Sequence, residues 1–394
     1  MSPDATARGR IKVLMVIDSY DDSKNGATIS TRRFVNLLQQ DCDVSILSTG
    51  IAAPGKIVLP RFYAPGVKQI MKKMQAPLAI PSRRILRKAI RDVHIVHIQF
   101  PFLLGIEAVR MARKLKVPVV STFHIQAEHL AMNAGIHSPM FIRYCYKIWL
   151  KTIYNRSRMV ICPSHFAEEE LQRYGLKSPT ALISNGILPI FHPICAERPE
   201  AFKEKFIILS VGRLAPEKRH EVIIQAINGS PYREKIILFL IGEGPAKEKL
   251  QHLGEELPNP PVFLFLKPEE LVYYYNIADL YIHAATIEVE CMTVLEAMGC
   301  GLPVVIAHSP KSATCQFAID DRFLFEGDDI KALTSRINYW VEHPSELDDA
   351  KKPYLEKSSH YRIEMSVEKL LSIYRNLVPP GSTTSTTDPF PPGK

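Results

Sequence analysis

No stretch of this sequence approaches the roughly 20 consecutive apolar residues that a membrane-spanning helix needs, and its longest apolar runs read as buried strands. The first residues, MSPDATARGR, lack the apolar core of a secretory signal and lead straight into a strand, so a cytosolic protein is expected. There is no Cys-x-x-Cys pair and no Cys/His cluster. The seven cysteines, Cys42, Cys145, Cys162, Cys195, Cys291, Cys300 and Cys315, are scattered and odd in number, which argues against a disulfide framework or a zinc ribbon. Reduced, mostly buried thiols and no metal ligand are the expectation. No short-period repeat is visible. The pairs Asp21-Asp22 and Asp320-Asp321 read as loop carboxylates.

At 394 residues the chain exceeds one ordinary core, so two domains are expected. A hydrophobic fraction of 46% with 23% charged residues is that of a globular protein. The formal charge of +8 calls for an anionic partner, and nucleic acid, a nucleotide or an acidic membrane surface would each serve.

Ile11–Ile17 is a β-branched apolar run followed by a polar loop ending in Asn25-Gly26, then a helical pattern over 29–39 and a strand at 43–48: a βαβ opening. Strands at 94–98, 117–123, 159–162 and 180–183 follow, with helices at 105–115 and 167–174 between them. A proline-bearing polar stretch at 189–204 reads as a linker. A second series then begins at Phe206–Val211 and continues through strands at 235–241, 261–266, 280–283 and 303–306. Residues 365–377 form an amphipathic helix, and the Pro/Ser/Thr-rich tail 379–394 is expected to be disordered. The fold class is therefore α/β, with two Rossmann-like, doubly wound domains, whose ligands bind at the carboxyl ends of the strands.

Three features of the second series carry chemistry. Gly212-Arg213 to Glu217-Lys218 fills the loop after the first strand, where two cations suit a diphosphate. Gly242-Glu243-Gly244-Pro245 follows the next strand, where glycines let a backbone approach a ligand. Glu288 lies in the loop after strand 280–283 and Glu296 on the helix beyond it. Amides near Cys291, Met292 and Thr293 would form that helix's anion-binding N-terminus.

In this order and at these positions, the features resemble the retaining glycosyltransferases of family four, which have the GT-B fold. Glu288 and Glu296 fit the family's Glu-x7-Glu signature and run into Glu296–Val305, EAMGCGLPVV. The resemblance implies an acceptor domain at 1–193, completed by a crossover helix at about 365–378, and a nucleotide-sugar domain at 197–364. It implies that Arg213 and Lys218 hold the donor diphosphate and stabilise charge on the leaving group. Glu296 would take the ribose, Glu288 the transferred sugar, and backbone at Leu266 and Lys267 the base. His124 would lie near the reactive centre and Gly26 beside the diphosphate, with Gly212 and Gly242 in the donor loops. Chemistry would need no metal, although magnesium could act indirectly. Leu188 stands where the family has the aspartate of its Asn-Gly-Ile-Asp turn, and Glu290-Cys291-Met292 replaces a common Phe-Gly.

Eight cations and no acidic residue lie between Lys68 and Arg91, interleaved with apolar side chains, and Arg143, Lys147, Lys151, Arg156 and Arg158 share a region with Tyr144, Tyr146 and Trp149. Such segments can lie on anionic lipid. The first domain also resembles bacterial diacylglycerol glucosyltransferases and phosphatidylinositol mannosyltransferases in His97–Gly105, Lys116–His124 and Cys162-Pro163-Ser164. A hexose donor such as UDP-glucose or UDP-galactose, a lipid acceptor near Glu128 and His129, and a peripheral site on the inner membrane face are the expectations. A soluble or polyprenol-linked acceptor and a non-catalytic nucleotide-binding scaffold are the alternatives. Nucleic-acid binding would explain the charge but not the paired glutamates.

Overall fold

The computed structural model describes residues 10–22, 25–62 and 77–378. The tail 379–394 and the part of the basic run from Lys68 to Met74 lie outside the described residues. The first sheet holds β1 (Ile11–Val16), β2 (Cys42–Ser48), β3 (Lys56–Val58), β6 (Ile95–Ile98), β7 (Val119–Thr122), β8 (Met159–Cys162) and β9 (Thr180–Leu182). All are parallel, in the order β3-β2-β1-β6-β7-β8-β9. A small antiparallel pair, β4 (Arg61–Phe62) and β5 (Leu78–Ala79), stands apart. The second sheet is parallel in the order β12-β11-β10-β13-β14-β15, from Val262–Leu264, Ile236–Ile241, Phe206–Val211, Leu280–His283, Val304–His308 and Leu324–Glu326.

Both sheets are covered on both faces, which is why their central strands are continuous apolar runs instead of alternating ones. Along β1 the period of two sorts the side chains: Leu14 and Val16 enter one core, Val13 and Met15 the other. That second core is finished by the helix Ile363–Leu377, whose Ile363, Val367, Leu370, Leu371 and Tyr374 pack against the first domain. The chain returns through a parallel bridge between Ile187 and Arg362 beside Gly186, whose φ is +78° and where a Cβ would come within 2.5 Å of Ile363 Cα.

In each sheet the strand order reverses once, between β1 and β6 and between β10 and β13. Those reversals open the crevices in which doubly wound sheets take ligands. The loops after β10 and β13 are the two that carry Arg213, Lys218 and Glu288.

Candidate active site

The helix Met292–Gly299 begins at Cys291, which is extended and supplies no side-chain cap, so its first amides are not taken by a cap. The loop after β10 lies beside it. The Lys218 ammonium pairs with Glu288, and this largely buried ion pair is the centre of the site. Burial works against the charge on Glu288, but Lys218 and the nearby His283 hold its pKa below the ordinary value. Burial likewise opposes the charge on Lys218, and Glu288 more than reverses this, so the ammonium persists. Arg213 Nη1 lies 3.5 Å from Glu217 Oε1, and His129 Nε2 reaches the same oxygen at 3.7 Å from the first domain. Burial of Glu217 is outweighed by the His129 contact, its own backbone amide and Arg213, which bring its pKa down to about 2.

Glu296 is buried one turn inside the helix. Tyr275 donates to Oε2 at 3.2 Å, and Arg33 Nη2 donates to Oε1 at 2.7 Å from the helix Gly26–Leu38 across the cleft. Arg33 also approaches Met292 Sδ at 3.8 Å, and a Cβ on Gly26 would stand 3.6 Å from Met292 Cε. The start of the first helix thus rests on the start of the signature helix. The Tyr281 hydroxyl donates to Val211 O at 3.1 Å and lies 2.8 Å from the Thr293 hydroxyl, which ties this helix to the end of β10.

Gly242 has a specific neighbour: a Cβ there would fall 1.8 Å from Gly212 O, and one on Gly244 would fall 2.2 Å from Leu214 O. The glycines let the loop after β11 press onto the Arg213 loop. Leu266 and Lys267 follow β12, where the Lys267 amide donates to Glu270 at 2.8 Å and opens the helix Pro268–Ile277. They share the strand-end edge with Arg213.

On the first domain's edge, His124 Nε2 bonds to Gln99 Oε1 at 2.8 Å, and His97 bridges Thr122 at 2.7 Å and Tyr374 at 2.6 Å. Burial lowers the pKa of His124 to about 4 and of His97 to about 3, so both imidazoles are neutral near pH 7. With Ser30, Thr31, Gln99 and Asn185 on one side and apolar walls such as Met15, Phe34 and Leu370, they line a cavity of about 20 Å³, room for one water.

The structure separates Glu128 from His129. Glu128 accepts from Tyr146 at 3.0 Å inside the first domain, while His129 faces the cleft and Glu217. The helix expected to carry five cations ends at Thr152, so Arg156 falls in a following single turn and Arg158 precedes β8. Asp21 pairs with Lys56 at 2.6 Å and Asp320 with Arg322, as loop carboxylates do. Sequence reasoning missed Arg33, His283 and the role of Glu290. Glu290 accepts from the Asn185 amide and from its Nδ2, both at 2.7 Å, which ties the loop after β9 to the residues just before the signature helix.

Residues 196–356 match the profile of the group 1 glycosyl transferases, and residues 24–189 that of glycosyltransferase family 4. An alpha-monoglucosyldiacylglycerol synthase from Streptococcus pneumoniae is 30% identical over 243 residues, 56% of this chain. The match spans only 53% of that relative's own length. A GDP-mannose-dependent alpha-mannosyltransferase from Mycobacterium tuberculosis is 26% identical over 310 residues, covering 75% of this chain and 78% of the relative. The Anabaena protein HepE in complex with UDP superposes with a TM-score of 0.73 at 15% identity, over 93% of this chain and 100% of that one. Sucrose-phosphate synthase from Thermosynechococcus elongatus gives 0.73 at 18%, over 93% and 99%. At those identities the likeness is one of fold, and the fold is GT-B. The chain belongs to the family-four, group 1 glycosyltransferases.

Proposed function

We propose that this glycosyltransferase moves a hexose from a nucleotide sugar to a membrane lipid such as diacylglycerol, with retention of configuration. The observation that carries the donor half is the buried Lys218–Glu288 pair, with Arg213 in the same loop and an uncapped helix N-terminus beside it. Two cations and free amides suit a diphosphate, and they act most strongly on the charge that grows as the leaving group departs. Glu288 accepts a hydroxyl of the transferred sugar, and Glu296 takes the ribose in exchange for Arg33. No carboxylate is needed as a nucleophile if the acceptor hydroxyl attacks the front face and passes its proton to the leaving phosphate. The neutral His124 stands on the acceptor side of the cleft.

The lipid half rests on surface chemistry. In the helix Arg83–Arg91, Arg83, Arg84, Arg87, Lys88 and Arg91 are exposed, while Leu86, Ala89 and Ile90 are buried. Met140 and Tyr144 are exposed beside Arg143, Lys147 and Lys151 on the helix Pro139–Thr152. Cations around exposed apolar tips fit an anionic bilayer face. Among the described residues no helix is long and apolar enough to cross a membrane. The pneumococcal relative's name favours a glucosyl donor and a diacylglycerol-type acceptor, and UDP-glucose or UDP-galactose is our first choice. The longer matches to enzymes named for GDP-mannose favour a second reading, a mannosyl donor.

A thermal-shift screen of UDP- and GDP-sugars, followed by mass spectrometry of products formed on lipid vesicles, tests both halves. A nucleotide sugar that stabilises the protein and labels a lipid is the expected result. Transfer only to soluble acceptors, together with failure to sediment with anionic vesicles, would sink the lipid half. Absence of turnover from every donor would sink the donor half.

A further inference from the structure

The donor reading leaves two side chains beside Glu288 without a task. His283, at the end of β13, is 4% exposed, and its Nε2 has no hydrogen-bond partner. Its Nδ1 lies 3.6 Å from Cys291 Sγ and its Nε2 lies 3.7 Å from Glu288 Oε1. One ligand atom from each of His283, Glu288 and Cys291 falls within 4.8 Å of the others. Imidazole, carboxylate and thiolate together form a donor set for zinc; magnesium and calcium prefer oxygen alone. Zinc bonds of about 2.0–2.3 Å set tetrahedral ligand separations of roughly 3.3–3.8 Å. Either ring nitrogen already meets one neighbour at that spacing, and one ligand atom from each of the three side chains lies within 4.8 Å of the others.

We propose that His283, Glu288 and Cys291 form a zinc site for which Lys218 is the competing occupant. Without metal, the ammonium holds the Glu288 carboxylate. Zinc takes that oxygen and the imidazole nitrogen, the Cys291 thiol gives up its proton to solvent as the zinc–sulfur bond forms, and Lys218 is displaced. Three protein ligands leave a fourth position open toward the cleft, the arrangement of accessible zinc. Sequence spacing gave no hint of this, and such a site would go against the expectation that none of the cysteines is a metal ligand. Binding depends on these side chains alone. Its consequence, arrest of sugar transfer, rests on the donor-site reading, because metal-bound Glu288 no longer meets the sugar and Lys218 no longer stands at the diphosphate.

The reduced full-length protein is titrated with zinc against a chromophoric chelator, and with cobalt followed by absorption. One equivalent should bind, and cobalt should show thiolate charge transfer with tetrahedral d–d bands. Cys291→Ser should abolish the charge-transfer band, and both it and His283→Asn should weaken zinc by at least about tenfold, the low end of what disturbing a metal's surroundings costs. Lys218→Met should bind zinc more tightly than wild type. Cys195→Ser, at an exposed cysteine, should change nothing. Circular dichroism checks that each variant is folded. No stoichiometric binding, or binding that survives Cys291→Ser combined with His283→Asn in a folded protein, overturns the site. If no nucleotide sugar turns over at all, the donor reading falls while the cobalt spectrum still decides this one.

Discussion

The two strand-end edges that face each other across the cleft have one architecture and opposite chemistry. The second domain's edge is ionic: Arg213, Glu217, Lys218 and Glu288 are all largely buried and all paired. The first domain's edge is polar and neutral, built from His97, Gln99, Thr122 and His124. Even its buried carboxyl conforms. Burial raises Asp18 to about 7, although the Ala79 amide donates to it at 2.9 Å. Doubly wound sheets leave the choice of ligand to the loops, and here the loops divide the work. On the function proposed above, one edge would take a charged diphosphate and the other a neutral hydroxyl that must not be repelled or trapped.

That division can be broken most sharply at Lys218. Lys218→Ala should cut transfer by at least about a hundredfold, as loss of one preorganised charge-stabilising donor does elsewhere. Circular dichroism should stay native, and near-wild-type turnover would refute the assignment. Arg33 is a cation that the first domain sends into the ionic edge. Arg33→Met leaves Glu296 buried without its partner, so unfolding should cost about 3–5 kcal/mol less. Arg33→Met with Glu296→Gln should recover much of that loss, and a double-mutant cycle in denaturant that finds simple additivity would reject the coupling.

His124→Asn should lower transfer by roughly ten- to a hundredfold, the loss of one or two ordinary hydrogen bonds, and leave nucleotide diphosphate binding unchanged. A large loss of nucleotide affinity would place this histidine on the donor side. The last prediction concerns Asp18. Its folded pKa lies above the unfolded one, so the folded state holds the extra proton between about pH 4 and 7. Stability from this group is therefore greatest at low pH, falls as pH rises through that window, and is level above it. The difference in denaturation midpoint between Asp18→Asn and wild type should grow from pH 4 to 7 in favour of the variant, and a flat difference would contradict a neutral carboxyl.

Much of this was legible in the sequence because burial on both faces writes parallel strands as plain apolar runs. Phe206–Val211 and the strand at 235–241 read almost to their ends. Edges read less well. The strand expected at 261–266 shrinks to Val262–Leu264 at the margin of its sheet, where pairing on one side ends sooner. The glutamates at 288 and 296 were found by spacing along one loop and helix. Arg33 was not, since its partner is 263 positions away and a lone cation on a helix face has no pattern. Glu290 was noted only as a departure, because its meaning lies in Asn185, 105 positions earlier. The pair Glu128 and His129 shows the same limit: adjacent residues on a helix point to different places, and only packing says which one meets the cleft.

The helix Ile363–Leu377 closes the first domain's core, and Tyr374 reaches His97 from 277 positions further along the chain. During synthesis the first sheet therefore emerges with one flank bare, and it stays so while the whole second domain is translated. The nascent first domain lacks this part of its core until residues 363–377 have been made. Arrival of residues 363–377, and not completion of the first sheet, is the event that sets the neutral edge in place.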